Sequence, residues 1–178
     1  HFIAENDALR WQIDTLQARL EEKTGESIDA GLEYPTDYDD LPQWISQNLA
    51  NRLLLHPRAS RELKNAEFRN IQLVCDALLA LATEYRNSKL GHADAGQRFT
   101  TRLDELGLHC SGSISRSNAG EFGEAYFVRH PLSDSPRQFL DLHVRSNGNS
   151  RDPKRCLAIY FFWDSDTRQV VVGWFPSH

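Results

Sequence analysis

The sequence has no methionine and three cysteines. A chain that opens on His1 without a methionine anywhere is expected to be a piece of a longer protein. Cys75, Cys110 and Cys156 are odd in number and far apart, so neither a disulfide framework nor paired C-x-x-C zinc ligands fit them; reduced, structural thiols are the expectation. No apolar run reaches the roughly 18 residues of a membrane-spanning helix, and a basic segment followed by an apolar signal core is missing. The expectation is therefore a cytoplasmic protein without a membrane partner. Phosphate-binding G-x-x-x-x-G-K-[ST], H-E-x-x-H, G-x-S-x-G and dinucleotide-binding glycines are absent too. The histidines lack ligand spacing, and neither a metal nor a cofactor is expected.

A large positive charge is lacking as well. The net charge of −5 excludes a strongly basic, non-specific nucleic-acid binder. The charge is unevenly spread, however: residues 1–40 hold 11 acidic and 3 basic side chains, whereas residues 41–107 hold 7 and 9 and residues 108–178 hold 7 and 8. An acidic N-terminal segment thus precedes a slightly basic body, which leaves room for a local phosphate-binding patch.

Residues 1–24 carry the clearest periodicity. Phe2, Asn6, Leu9, Ile13, Leu16 and Leu20 alternate four and three apart, the spacing of a coiled-coil seam with Leu9 and Leu16 at d and Asn6, Ile13 and Leu20 at a. Ile at a with Leu at d favours two parallel strands, and one Asn at a fixes the register. The spacing predicts a parallel coiled-coil homodimer with Asn6, Leu9, Ile13, Leu16 and Leu20 in its interface; an amphipathic helix packed on its own domain is the alternative. Residues 25–40, rich in glycine and carboxylates with one proline, are expected to be an acidic linker or an arm lying over a basic face.

The body, residues 41–178, reads as α+β. Asp40 is a candidate N-cap for a helix over LPQWISQNLANR, LLLH is a short strand candidate, a short helix lies around ASRELK, and a long helix spans about 70–89 with Gly91 at its end. Another helix covers 97–106 and stops at Gly107. From residue 108 the hydrophobic period changes from 3.6 to 2. LHCSGSIS, AYFVRH, FLDLHVR, CLAIYFFW and QVVVGWF predict an antiparallel meander of four to five strands over 108–178, against helices over 41–107. CLAIYFFW is apolar on both faces, so its strand is expected to be central and covered on both sides.

The chemistry concentrates on the less apolar face. A metal-independent ribonuclease needs a base at the 2′-hydroxyl, an acid at the leaving 5′-oxygen and cations that hold the phosphate. His143, Tyr160 and His178 are candidates for acid and base with Arg145 as charge stabiliser, and Arg151, Lys154 and Arg155 of the loop NGNSRDPKR are candidate phosphate ligands. RNA or the ribosome would then be the target. A plainer account makes His143 and Arg145 surface strand residues, Tyr160 a packing residue, and Asp152 an ion-pair partner of Arg151 or Arg155.

The order LLLH, helices, then R-C-L-A-I-Y-F-F-W-D and V-V-V-G-W over residues 53–178 resembles the RelE/ParE-like bacterial toxins. That resemblance implies an endoribonuclease with Arg145, Arg155, Tyr160 and His178 at its basic and aromatic catalytic positions. The run from His143 to Asp164 with V-V-V-G-W-F-P-S-H is also similar to the terminal module of uncharacterised bacterial proteins. The competing expectation is a non-catalytic dimeric interaction or sensing module, joined by its coiled coil to upstream domains and binding a protein partner or a nucleotide-like ligand.

Overall fold

The computed structural model describes residues 6, 9, 10, 12, 13, 16, 31–113, 120–131, 134 and 136–176. Two compact units divide the chain, residues 1–33 and residues 34–178. In the first, the described seam residues Asn6, Leu9, Ile13 and Leu16 are helical and exposed. Leu20 lies outside the described residues.

The second unit is α+β. Its helices are α1 (Leu41–Asn48), α2 (Pro57–Glu62), α3 (Ile71–Ala80), α4 (Arg86–Lys89) and α5 (Ala95–Glu105), and its strands are β1 (Leu53–Leu55), β2 (Leu108–Gly112), β3 (Phe127–Val128), β4 (Gln138–Phe139), β5 (Leu142–Ser146), β6 (Ala158–Asp164) and β7 (Gln169–Trp174). Local chemistry sets several boundaries. The Asn70 side chain caps α3 by accepting the Leu73 N–H at 3.1 Å. Gly107 supplies the positive φ of 69° that stops the chain after α5 and turns it into β2. Asp40 sits at the N-cap of α1, but its side chain makes no capping bond. Between α3 and α4, Leu81–Tyr85 form a π-helical turn, so the expected long helix is continuous but locally underwound.

Five strands form the main sheet in the order β1-β7-β6-β5-β2. The hairpins β5/β6 and β6/β7 are antiparallel, as the successive period-2 runs predicted, and β2 pairs antiparallel with β5 and not with the run that follows it in sequence. Two features correct the simple meander. β1, the short strand expected at LLLH, is not separate from the meander but joins its sheet parallel to β7 with Leu53 opposite Val170. The runs AYFVRH and FLDLHVR do not both enter the main sheet: β3 and β4 pair with each other as a separate two-stranded ribbon, and the expected strand from Phe139 to Arg145 breaks at Leu140–Asp141. The break has a packing cause. Leu140 donates its N–H to the Tyr126 carbonyl at 2.7 Å and is wholly buried, which turns its side chain out of the β5 alternation.

Both faces of the sheet are covered. On one, Phe161 of β6 meets Tyr85 of the π-helical turn with ring centroids 5.1 Å apart, and Tyr85 meets Phe99 of α5 at 5.3 Å. Phe161 is fully buried, and burying an aromatic ring of that size stabilises the fold by about 3 kcal/mol. On the other face, Tyr126, Val128, Phe139 and Leu140 from the ribbon region pack on Ala158, Tyr160, Phe162 and Val171 as a second apolar cluster. The expected central, doubly covered strand is β6, buried along nearly its whole length.

Residues 34–40 of the expected linker belong to the second unit. The Tyr34 hydroxyl donates to Asp76 Oδ1 at 2.6 Å and its ring stands edge-on to Trp44; the Tyr38 hydroxyl donates to the Phe68 carbonyl at 2.8 Å.

Candidate functional site

Directly opposed residues of antiparallel strands share a face. The register therefore lines up Ser111 of β2, His143 of β5, Tyr160 of β6 and Trp174 of β7 in one row, and His109, Arg145 and Ala158 in the next. The expected convergence of His143, Arg145 and Tyr160 is geometrically real. The His143 and Tyr160 ring centroids are 5.2 Å apart, those of Tyr160 and Trp174 5.4 Å, and Tyr126 of the covering layer stands edge-on to Tyr160 at 5.7 Å.

Access is greatest at β2 and least at β5 and β6, with Trp174 of β7 half-buried. His143 and Tyr160 are 7 % and 8 % exposed, and the ribbon region packs over Tyr160. Arg145 is half-buried, and His109 and Ser111 on the edge strand are exposed. The His143 Nε2 edge is turned towards that open side, 3.5 Å from the Ser111 hydroxyl.

Electrostatics assign different states to these groups. Burial, seconded by Tyr126, pushes the Tyr160 phenol up to about 12 against the pull of the Arg145 charge, so at neutral pH it is a neutral hydroxyl. A hydrogen bond links it to the Tyr126 hydroxyl. His109 Nδ1 lies 2.7 Å from Asn147 Oδ1. That oxygen can only accept, so Nδ1 carries the proton and the neutral ring keeps its lone pair on Nε2. This is how a general base is oriented.

His109, Ser111 and Asn147 join the site without having been expected in it. The alternation in LHCS held the signal, since it puts His109 and Ser111 on one face of β2; what was missing was the non-local pairing of β2 with β5. The loop cations are placed differently. Arg151, Lys154 and Arg155 are exposed. Arg155 Nε lies 3.8 Å from Asp152 Oδ2, and Asp152 Oδ1 also accepts the Lys154 N–H at 3.0 Å, which shapes the turn. Lys154 is further tied to the body through its carbonyl, which accepts the Arg69 N–H at 3.4 Å. The loop leaves the sheet next to the Arg145–Ala158 pair, on the His109 side of the site. His178 lies outside the described residues.

A second polar cluster gathers at the stem of β3. His130 is buried with Nε2 3.3 Å from Gln169 Oε1, 3.4 Å from Thr167 Oγ1 and 3.8 Å from Asp164 Oδ2. Thr167 and Asp164 meet the same ring nitrogen, so the three do not form a nucleophile–base–orienter chain. Thr167 is itself hydrogen-bonded to Asp164. Among the described residues no group of three His, Cys, Asp or Glu side chains is placed to hold a metal ion, and no helix is long and apolar enough to cross a membrane. No protein-family model, curated protein or solved structure matches the chain.

Proposed function

We propose that this face is a metal-independent RNA-cleaving site of the RelE-like kind, with His109 added to the residues expected from the sequence. One observation carries the reading: two histidines, an arginine and a neutral tyrosine stand in register on one face of β2, β5 and β6. His109 Nε2 takes the proton of a 2′-hydroxyl, whose oxygen attacks the neighbouring phosphorus. Arg145 and the loop cations Arg151, Lys154 and Arg155 hold the charge that builds on the phosphate. The P–O5′ bond breaks, His143 hands a proton to the departing 5′-oxygen, and a 2′,3′-cyclic phosphate remains. Tyr160 packs beneath His143 and sets the ring's position.

The test is labelled RNA incubated with the purified chain, with and without chelator and ribosomes. Chelator-resistant products ending in a 2′,3′-cyclic phosphate are expected. A 2′-deoxy substitution at the scissile position should block them, and His109→Ala and Arg145→Ala should each slow cleavage by at least about 100-fold.

The burial of His143 and Tyr160 favours a second reading, a non-catalytic module that binds an anionic or protein partner through the open edge of the same face. Under it a folded wild type gives no cleavage, His143→Ala keeps the affinity, and Arg145→Ala or Arg155→Ala loses it.

A further inference from the structure

On the N-terminal helix, Leu9, Ile13 and Leu16 are 54 %, 53 % and 58 % exposed. Exposed Arg10 and Gln12 flank this apolar stripe. The heptad determines what would cover it. With Asn6 and Ile13 at a, the g positions are Glu5 and Gln12 and the e positions are Arg10 and Gln17. In a parallel pair in register, each g residue faces the e residue five positions on in the other helix. Glu5 then meets the partner's Arg10, Gln12 meets the partner's Gln17, and Asn6 meets its own copy. Charge faces opposite charge, amide faces amide, and the like-charge clash that a foreign helix would have to avoid does not arise.

We propose that this stripe docks on a second copy of the same chain, parallel and in register, with Glu5 against the partner's Arg10 as the ion pair that selects it. The inference stands apart from RNA cleavage, and its test does not read activity.

Sedimentation equilibrium of the full chain should give a monomer–dimer equilibrium. Glu5→Arg and Arg10→Glu each replace both symmetry-related attractions by repulsions and should weaken self-association about fivefold. An equimolar mixture of the two variants restores both attractions, so it should form mixed dimers at wild-type strength. Asn6→Ile should tighten association while admitting higher oligomers, because the polar a residue no longer selects two strands. A wild type that stays monomeric up to its solubility limit would overturn the proposal, as would a mixture no stronger than its components. An antiparallel pair sets e against e, so Arg10 would face Gln17; an Arg10→Glu variant that self-associates like wild type would therefore also overturn it. Far-UV circular dichroism checks that the variants stay folded.

Discussion

Gly173 shows how tightly single positions are specified on the covered face. It is the extra residue of the bulge between β6 and β7, since Tyr160 pairs with Trp174 and Phe161 with Val172. A Cβ built there would stand 2.7 Å and 2.9 Å from the two methyl carbons of Leu140. Leu140 is wholly buried and has no room to retreat. Gly173→Ala should therefore lower stability by about 1–3 kcal/mol in urea titrations. Leu140→Ala should lose about 2–5 kcal/mol on its own, and the double variant should lose less than the sum, because each change relieves the other. Phenols make a second prediction at this scale. Burial raises the hydroxyls of Tyr160, Tyr85 and Tyr38 above their ordinary value of about 10. The folded chain then holds those protons more tightly than the unfolded one, so the stability they contribute is complete below about pH 10 and is lost as pH rises. Tyr160→Phe should shift alkaline unfolding, followed by circular dichroism, to higher pH.

Among the elements, the β3–β4 ribbon has polar attachments to the rest of the fold besides its apolar cluster. One is His56, whose Nδ1 accepts the Arg58 N–H at 3.1 Å as the N-cap of α2 and whose Nε2 lies 3.1 Å from the Arg129 carbonyl. Nδ1 is thus unprotonated, and Nε2–H donates to the end of β3. Burial, helped by the charges of Arg58 and Arg61, lowers the pKa of this ring. Protonation would remove the cap and place a cation beside those arginines and His130. A depressed histidine makes stability fall as pH drops below about 6.5. Urea midpoints should therefore decrease from pH 7.5 to pH 5 in the wild type and decrease less in His56→Asn, which retains a capping side chain. Amide exchange at Phe127 and Val128 should accelerate first. The sequence revealed elements where the signal was local: the period-2 runs located β2, β5, β6 and β7, and helical spacing located α3 and α5. It concealed the separation of the ribbon from the main sheet, because the break at Leu140–Asp141 depends on a contact with Tyr126 that no local pattern announces. It likewise put His143, Arg145 and Tyr160 on one face while giving no sign that Tyr126 and Phe139 would help to cover Tyr160.

At the scale of the molecule, the parallel pairing of β1 with β7 was the least legible feature, since three leucines after a helix say nothing about a partner more than a hundred residues away. It also adds β1 to the sheet as an edge strand beside β7. Leu53, Leu54 and Leu55 align with Val170, Val171 and Val172, and the His56 N–H continues the ladder to the Val172 carbonyl at 2.9 Å. Closing so long a loop is slow relative to forming the neighbouring hairpins. Leu53→Ala should accordingly speed unfolding and leave the folding rate nearly unchanged in stopped-flow denaturant jumps, as expected for a contact made after the transition state. The same topology orders events during synthesis. Helices α1 to α5 emerge first with the leucines of β1 still lacking a neighbour, and they wait while β2, β5 and β6 are made. β7 is made after the other four strands of this sheet and is the one that pairs with β1, so a truncation before residue 169 loses β7 and also leaves β1 as an unpaired apolar edge, a substrate for chaperones or for aggregation.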